Sequence, residues 1–356
     1  MSELQDLLTA VGHIRGQEEA KLRLAWTLRR QQLVNAGKIP SSPAGAIATG
    51  PTGVGKTYLT REMCGACGLA FAEVKATQYT EKGYVGPDLE QMFLHLFQAA
   101  ADILDGQRPP GAYRADVDAD LFKRDDMDLV VGVAETGVVL LDEFDKWMAS
   151  GRVADDHGRN KGRNLQYELL TILEGARVWV TDSEEELGEL FDTSRVLFIA
   201  AGAFYGPPSL ASILRRRLRE EEVASTDPRR HDLRWELLEP GDFQEFGVIP
   251  ELTGRLTVHL PFKQLQPPEF ASILEEEGGL IEEYIARARE EGIDLRFAPG
   301  ALLAIGRQAA ERDTGARGLR HVLEGLLARP LVRASLDDDP ELLVTPEHVN
   351  LGTVTR

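Results

Sequence analysis

Residues 50–57 read Gly50-Pro51-Thr52-Gly53-Val54-Gly55-Lys56-Thr57 and fit the pattern G-x-x-x-x-G-K-[ST]. A short apolar run, Ala44 to Thr49, leads into them and a helical pattern begins near Lys56. The chemistry such a loop performs is phosphate binding. Glycines allow successive backbone N–H groups to turn toward phosphate oxygens where a Cβ would stand in the way. Lys56 is expected to meet β- and γ-phosphate charge, Thr57 to place its hydroxyl on Mg²⁺, and the helix N-terminus to add favourable partial charge. A second group completes the chemistry. The apolar run Val138–Leu141 ends in Asp142-Glu143, which puts Asp142 at a strand's carboxyl end to hold the Mg²⁺ hydration shell. Glu143 is then expected to orient and deprotonate the attacking water. The two groups together predict an ATP hydrolase with ATP and Mg²⁺ as cofactors.

The elements that must position these groups form a regular alternation. Apolar runs at Ala44–Thr49, Leu69–Val74, Val138–Leu141, Val196–Ala201 and Leu256–Leu260 predict buried strands separated by helices. That order predicts an α/β fold, a doubly wound parallel sheet with helices on both faces. A helix is expected from about Gly16 to Gly37, with Ala20, Leu24 and Leu28 on one face. After Pro267 the pattern turns mainly helical, over Phe270–Ala288, Pro299–Ala310 and Gly318–Ala328, with a brief strand at Glu341–Val344. The domains are therefore read as 1–262, the phosphate-loop domain with a surface insertion at about 106–128, and 263–356, a smaller helical domain. A chain of 356 residues is long for one core. Ser150–Arg163, Thr181–Asp192 and Pro207–Asp242 read as further loops, the last with Arg215, Arg216, Arg217 and Arg219.

Composition narrows the classes of partner. Lys and Arg total 40 against 58 Asp and Glu, a net charge of −18, which opposes nucleic acid as main partner because such binding neutralises phosphates. The longest clean apolar stretch, Val196–Phe204, falls far short of the roughly 20 residues of a membrane span. The start lacks the basic and apolar regions of a secretory signal, and two cysteines build no disulfide framework. A cytoplasmic protein with no membrane partner is expected.

Several further blocks, in order, give the chain a family likeness: Gly16-Gln17, Thr80-Glu81-Lys82-Gly83-Tyr84-Val85-Gly86, Leu141-Asp142-Glu143-Phe144-Asp145-Lys146, Gly202-Ala203-Phe204, Phe246–Glu251 running to Gly254-Arg255-Leu256, and Thr314-Gly315-Ala316-Arg317-Gly318-Leu319-Arg320. With the phosphate loop, the chain resembles the ClpX branch of the AAA+ protein unfoldases, with HslU close by. The resemblance implies an AAA+ large domain followed by a lid domain, with nucleotide in the cleft between them and at the subunit boundary. It also implies a homo-oligomer, a hexameric ring, that threads protein substrates through its central pore. Gly83, Tyr84, Val85 and Gly86 would form the pore loop. An aromatic and a branched side chain between glycines suit sequence-tolerant contact with an extended chain. Arg255 matches the arginine finger that reaches a neighbour's γ-phosphate, and Arg317 the second-sensor arginine.

The chain also departs from that family. Cys64-Gly65-Ala66-Cys67 is a lone C-x-x-C without the remaining ligands of a structural zinc site, so core thiols are expected, and the family's N-terminal zinc-binding domain is expected to be lacking. The segment Pro207–Asp242 has no Ile/Leu-Gly-Phe tripeptide, which puts a ClpP-type peptidase partner in doubt. Thr181–Asp192 carries acids where ClpX carries a basic loop, which predicts preference for basic segments. Ala200-Ala201-Gly202 offers no side-chain donor at the first sensor position. Two other readings remain open at this level: a nucleotide-gated assembly factor and a nucleic-acid-associated motor. Replacing Tyr84 separates threading from gating, and a steep salt dependence with nucleic acid would mark the motor.

Overall fold

The protein is described by a computed structural model covering residues 3–40, 45–79, 88–106, 117–118, 120–150, 161–181, 188–220, 235–276, 279–312, 314–336 and 341–352. Among these residues the strands are β1 (Ala46–Thr49), β2 (Phe71–Lys75), β3 (Val138–Asp142), β4 (Arg177–Thr181), β5 (Gly188–Asp192), β6 (Leu197–Gly202), β7 (Val258–Pro261), β8 (Asp294–Phe297) and β9 (Glu341–Val344). Two compact units emerge, one of Met1–Gly12, Gln17–Gly50 and Lys56–Phe262, the other of His13–Gly16, Pro51–Gly55 and Lys263–Arg356.

The first unit is built on one parallel sheet in the order β2-β3-β6-β1-β7. Its strands are almost wholly apolar because helices cover both faces, as a parallel sheet requires. All four residues of β1 and all six of β6 are buried. Strands β1 and β6 run in register, Ala46 beside Ile199 through Thr49 beside Gly202, and β3 lies on the far side of β6. The carboxyl ends of β1, β3 and β6 thus line one edge, where ligands bind in open α/β sheets. The helix expected near Gly16–Gly37 spans Glu18–Asn35 and buries Ala20, Leu24 and Leu28.

Two loop readings change. Thr181–Asp192 is not a plain loop. Its flanks form the antiparallel hairpin β4–β5, with Val178, Val180 and Phe191 buried on one side. The acidic run in the sequence hides this alternation. Pro207–Asp242 contains the helix Leu210–Glu220, whose Leu210, Ile213 and Leu214 enter the core. In that helix Arg217 donates to Asp242, itself almost fully buried, at 3.0 and 2.9 Å, and Arg216 pairs with Glu245. Much of the arginine cluster therefore fastens this helix to the next one, Pro240–Phe246, whose first turn is closed by a capping box of Glu239 and Asp242. In the region read as an insertion, Arg124 makes paired contacts with both Asp105 and Asp126 at 2.7–2.9 Å, just before the helix Met127–Ala134. Residues 107–116, 151–160 and 221–234 lie outside the described residues.

In the second unit the helices Pro267–Leu274, Leu280–Glu290, Ala301–Glu311 and Arg317–Leu336 surround buried Phe270, Tyr284, Ile305 and Leu323. The single helix expected over Phe270–Ala288 is two, since the Gly278-Gly279 pair offers no helix propensity between them. Strands β8 and β9 pair in parallel, and β8 was hidden by the brevity of its apolar content.

Candidate nucleotide site

The phosphate loop is a chain reversal that its glycines make possible. Gly50, Gly53 and Gly55 have φ of 146°, 75° and 94°, conformations that L side chains rarely adopt. At Gly50 close approach adds a second reason: a Cβ would stand 2.3 Å from the Phe262 carbonyl. At Gly55 the same position meets no atom within 4 Å, so only its backbone angle calls for glycine there. The helix Lys56–Ala66 starts at the loop's end. Lys56 is the helix's first residue, only 8% exposed, and its ammonium donates to the Gly50 carbonyl at 2.8 Å. A buried ammonium folded back on the first carbonyl of its own loop is a cationic centre suited to phosphate oxygens.

Thr57 and Asp142 converge from different elements. The Thr57 hydroxyl donates to Asp142 Oδ2 at 3.4 Å, while Asp142 Oδ1 accepts the Glu143 amide at 2.8 Å. An alcohol and a carboxylate meeting beside a phosphate loop are hard oxygen donors of the kind Mg²⁺ takes when it also keeps waters and substrate phosphates. Glu143 has a φ of 58°, a left-handed conformation unusual for a residue with a side chain. The turn is held there by the Phe144 amide, which donates to Ala201 of β6 at 2.9 Å, and by the Trp147 indole, which donates to Ala76 at 2.8 Å. The Glu143 carboxylate accepts from the Thr77 hydroxyl at 3.3 Å. Thr77 is a site residue that sequence reasoning missed. Only the pairing of β2 beside β3 brings its turn, Ala76–Gln78, next to Glu143.

Arg317 opens the helix Arg317–Leu336 and is exposed. The turn before it is tied to the phosphate loop within the second unit: the Ala316 amide donates to the Gly53 carbonyl at 2.8 Å. Gly53 and Gly315 face each other so closely that a Cβ on either would lie 2.5 Å from backbone of the other segment.

Arg255 sits elsewhere. Its carbonyl accepts from the Gly45 amide at 2.8 Å, which places it at the amino end of β1. The phosphate loop leaves the carboxyl end. The five residue steps from Gly45 to Gly50 span roughly 17 Å of strand, more than one arginine side chain covers. The guanidinium pairs with Glu174 at 2.9 Å, both side chains being more than a third exposed. Gly83, Tyr84, Val85 and Gly86 lie outside the described residues.

Comparison with known proteins follows the same lines. Residues 46–225 match the family described as "ATPase family associated with various cellular activities (AAA)", and residues 265–344 match the "C-terminal, D2-small domain, of ClpB protein". A protein of Borrelia duttonii named "ATP-dependent Clp protease ATP-binding subunit ClpX" is 31% identical over 333 residues, covering 88% of this chain and 70% of the relative. The chain belongs to the AAA ATPases, as a ClpX-like member. A protein of Methylococcus capsulatus named "ATP-dependent Clp protease ATP-binding subunit ClpX 3" is 33% identical over 308 residues, 82% of this chain. A ClpX of Azotobacter vinelandii is 30% identical over 351 residues, 92% of this chain. The matches span 63% of the Methylococcus protein and 72% of the Azotobacter one. As a member of this family the chain is an ATP-hydrolysing enzyme.

Two departures of this ClpX-like chain acquire a physical setting. Strand β6 ends in Ala200-Ala201-Gly202, and a Cβ on Gly202 would meet Asp145 Oδ1 at 2.7 Å. The almost fully buried Asp145 carboxylate fills the space a side chain at 202 would need. Cys64 is buried and Cys67 partly so. Burial pushes both thiols up, Cys67 to about 11, which disfavours the thiolate that zinc binding needs. Among the described residues no helix is long and apolar enough to cross a membrane.

Proposed function

We propose that this ClpX-like ATPase is a protein unfoldase or remodeller, a cytoplasmic hexameric ring that threads polypeptide through its centre. The observation that carries the reading is the opposition of two sheet edges. Lys56, Thr57, Asp142 and Glu143 gather at the carboxyl edge, whereas Arg255 stands by the amino end of β1. One chain thus holds the groups that bind and split ATP but carries Arg255 beyond the reach of its own phosphate loop. Such an arginine serves a neighbouring copy, which makes hydrolysis depend on assembly.

Within the site, Lys56 and the backbone N–H groups of residues 52–57 hold the β- and γ-phosphates. Thr57 and Asp142 would hold Mg²⁺, the latter through water, and the ion supplies charge neutralisation at the phosphates. Glu143 takes the proton of the attacking water, and the Thr77 hydroxyl fixes the carboxylate that does so. Arg317, two residues past the Gly315 contact with the loop, follows the bound phosphates and so reports nucleotide state. The curated relatives carry names of ATP-binding subunits of a Clp protease. For this chain we propose action without ClpP, or with a partner read by Pro207–Asp242, because that segment has no Ile/Leu-Gly-Phe tripeptide. ATP-dependent co-elution with ClpP would contradict that part.

Threading is assigned to Gly83-Tyr84-Val85-Gly86. The test is Tyr84→Ala, scored for ATPase and for ATP-dependent unfolding of a tagged fluorescent reporter. Threading predicts that unfolding collapses while ATPase persists. An unchanged unfolding rate would favour a nucleotide-gated assembly factor instead.

A further inference from the structure

Gln264 lies between β7 and the helix Pro267–Leu274 and is only 5% exposed. Its Oε1 and Nε2 are both buried, and neither has a hydrogen-bond partner. Among the described residues no other side chain leaves two buried polar atoms unpaired. The sequence neighbours do not relieve it. Phe262 and Leu265 are buried and apolar, and the Gln266 side-chain amide donates to the Gln264 backbone carbonyl at 3.3 Å, not to its side chain. A primary amide can donate two hydrogen bonds and accept two. Burying it with none of them made costs the folded chain the desolvation of both atoms. Folding alone favours an apolar side chain at such a position.

The place of Gln264 in the chain supplies a reason to keep the amide. Phe262, Lys263 and Gln264 are buried, exposed and buried in turn, the alternation of an extended segment that turns Phe262 and Gln264 to the same side. Phe262 borders the phosphate loop, since a Cβ on Gly50 would stand 2.8 Å from the Phe262 Cβ. Gln264 itself belongs to the compact unit that contains loop residues Pro51–Gly55 and the segment His13–Gly16. In that unit Gly16 lies directly against the Glu269 carboxylate, which closes a capping box with Gln266. The unpaired amide therefore sits in a short segment held between the phosphate loop and residues 13–16.

We propose that Gln264 reads the base of the nucleotide whose phosphates the loop holds. Its Oε1 accepts from the 6-amino group of adenine and its Nε2 donates to the neighbouring ring nitrogen. Donor and acceptor stand side by side on a glutamine amide and on the edge of adenine, the match by which glutamine recognises adenine in nucleic acids. Phosphate oxygens only accept and leave Oε1 unused. Seclusion from water makes a mismatched base expensive, because the buried amide then stays unpaired. The role rests on the reading that residues 50–57 hold the phosphates, and it is independent of threading.

The test titrates the full chain calorimetrically with ADP, which is not consumed, and with purine riboside diphosphate, which lacks the 6-amino group. The wild type is expected to bind ADP on the order of tenfold more tightly than the analogue. Gln264→Met and Gln264→Leu should each lose that preference and bind the two diphosphates alike. Without nucleotide, the denaturant midpoint of both variants should equal or exceed that of the wild type, since two unpaired buried polar atoms are removed. Equal binding of the two diphosphates by the wild type overturns the proposal. So does a variant that keeps the preference, and a lowered midpoint with the preference intact would make Gln264 a packing residue. Lys56→Ala, titrated in parallel, should lose affinity for both diphosphates. If it binds as the wild type does while Gln264→Met has lost the preference, the phosphate reading fails and base reading stands. If Lys56→Ala loses binding while Gln264→Met keeps the preference, base reading alone fails.

Discussion

The phosphate loop and the arginine at position 255 are held in opposite ways. The loop is fixed by backbone: Gly50 lies against Phe262, Gly53 against Gly315, and Lys56 is buried on a carbonyl of its own loop. Neither glycine contact has room for a Cβ. Arg255 has a solvent-accessible ion pair with Glu174, of a kind worth about 0–1 kcal/mol. The difference teaches what each end is for. Groups that meet phosphate in every cycle are preorganised, because reorganisation during the reaction would forfeit their electrostatic advantage. On the proposed reading Arg255 serves a neighbouring chain, and a weak, exposed ion pair leaves it held lightly enough to release.

The largest effect expected belongs to the fixed end. Glu143→Gln should lower ATP turnover by on the order of 10²–10⁴-fold while ATP binding survives, measured by steady-state hydrolysis beside nucleotide-binding titration. Loss of binding with loss of turnover would mean that Glu143 shapes the loop and is no base. Next comes Gly315→Ala. It places a Cβ 2.5 Å from Gly53 backbone at a φ of 60°, and should cost about 1–3 kcal/mol of stability together with weaker nucleotide binding. Denaturant midpoints and binding titrations report both, and an unperturbed variant would show that the loop is not held from this side.

A pH-dependent effect comes from beneath the loop. His259 on β7 shares a hydrogen bond of 2.7 Å with Thr49, the residue before Gly50. Burial, with help from the Arg23 cation, pushes the imidazole down to about 3 from an ordinary 6.5. The unfolded chain therefore takes up a proton below about pH 6.5 that the folded chain refuses until about pH 3. This group's contribution to stability is present above pH 6.5 and declines as pH falls through that window. The pH slope of the urea midpoint should be shallower for His259→Gln. The smallest effect is expected at the light end. Glu174→Gln should alter stability by less than about 1 kcal/mol and ATPase by no more than a few-fold. A large loss would show that Arg255 is locked in place and not poised to move.

What could be read without the structure follows from where each signal resides. β1, β3 and β6 were legible because burial on both faces leaves an unbroken apolar run. The phosphate loop was legible because its glycines and lysine sit in consecutive positions. Thr77 and Glu174 were not, since an isolated threonine or glutamate gains meaning only from the strand or helix beside it. The β4–β5 hairpin was obscured by its acidic connection, although Val178 and Val180 already alternate. The arginine cluster misled in part: Arg217 is turned inward by Asp242, a capping residue of the next helix. Its commitment depends on a contact 25 positions along the chain.

The most direct measurement of the assembly claim mixes two inactive chains. Lys56→Ala removes the phosphate contact and Arg255→Ala removes the arginine, and each alone should lose most ATPase. Mixed, they should regain a clear fraction of turnover, because a chain with an intact phosphate loop then borrows Arg255 from its neighbour. If the mixture stays as inactive as its parts, or if Arg255→Ala alone hydrolyses ATP at the wild-type rate, the arginine does not act across chains.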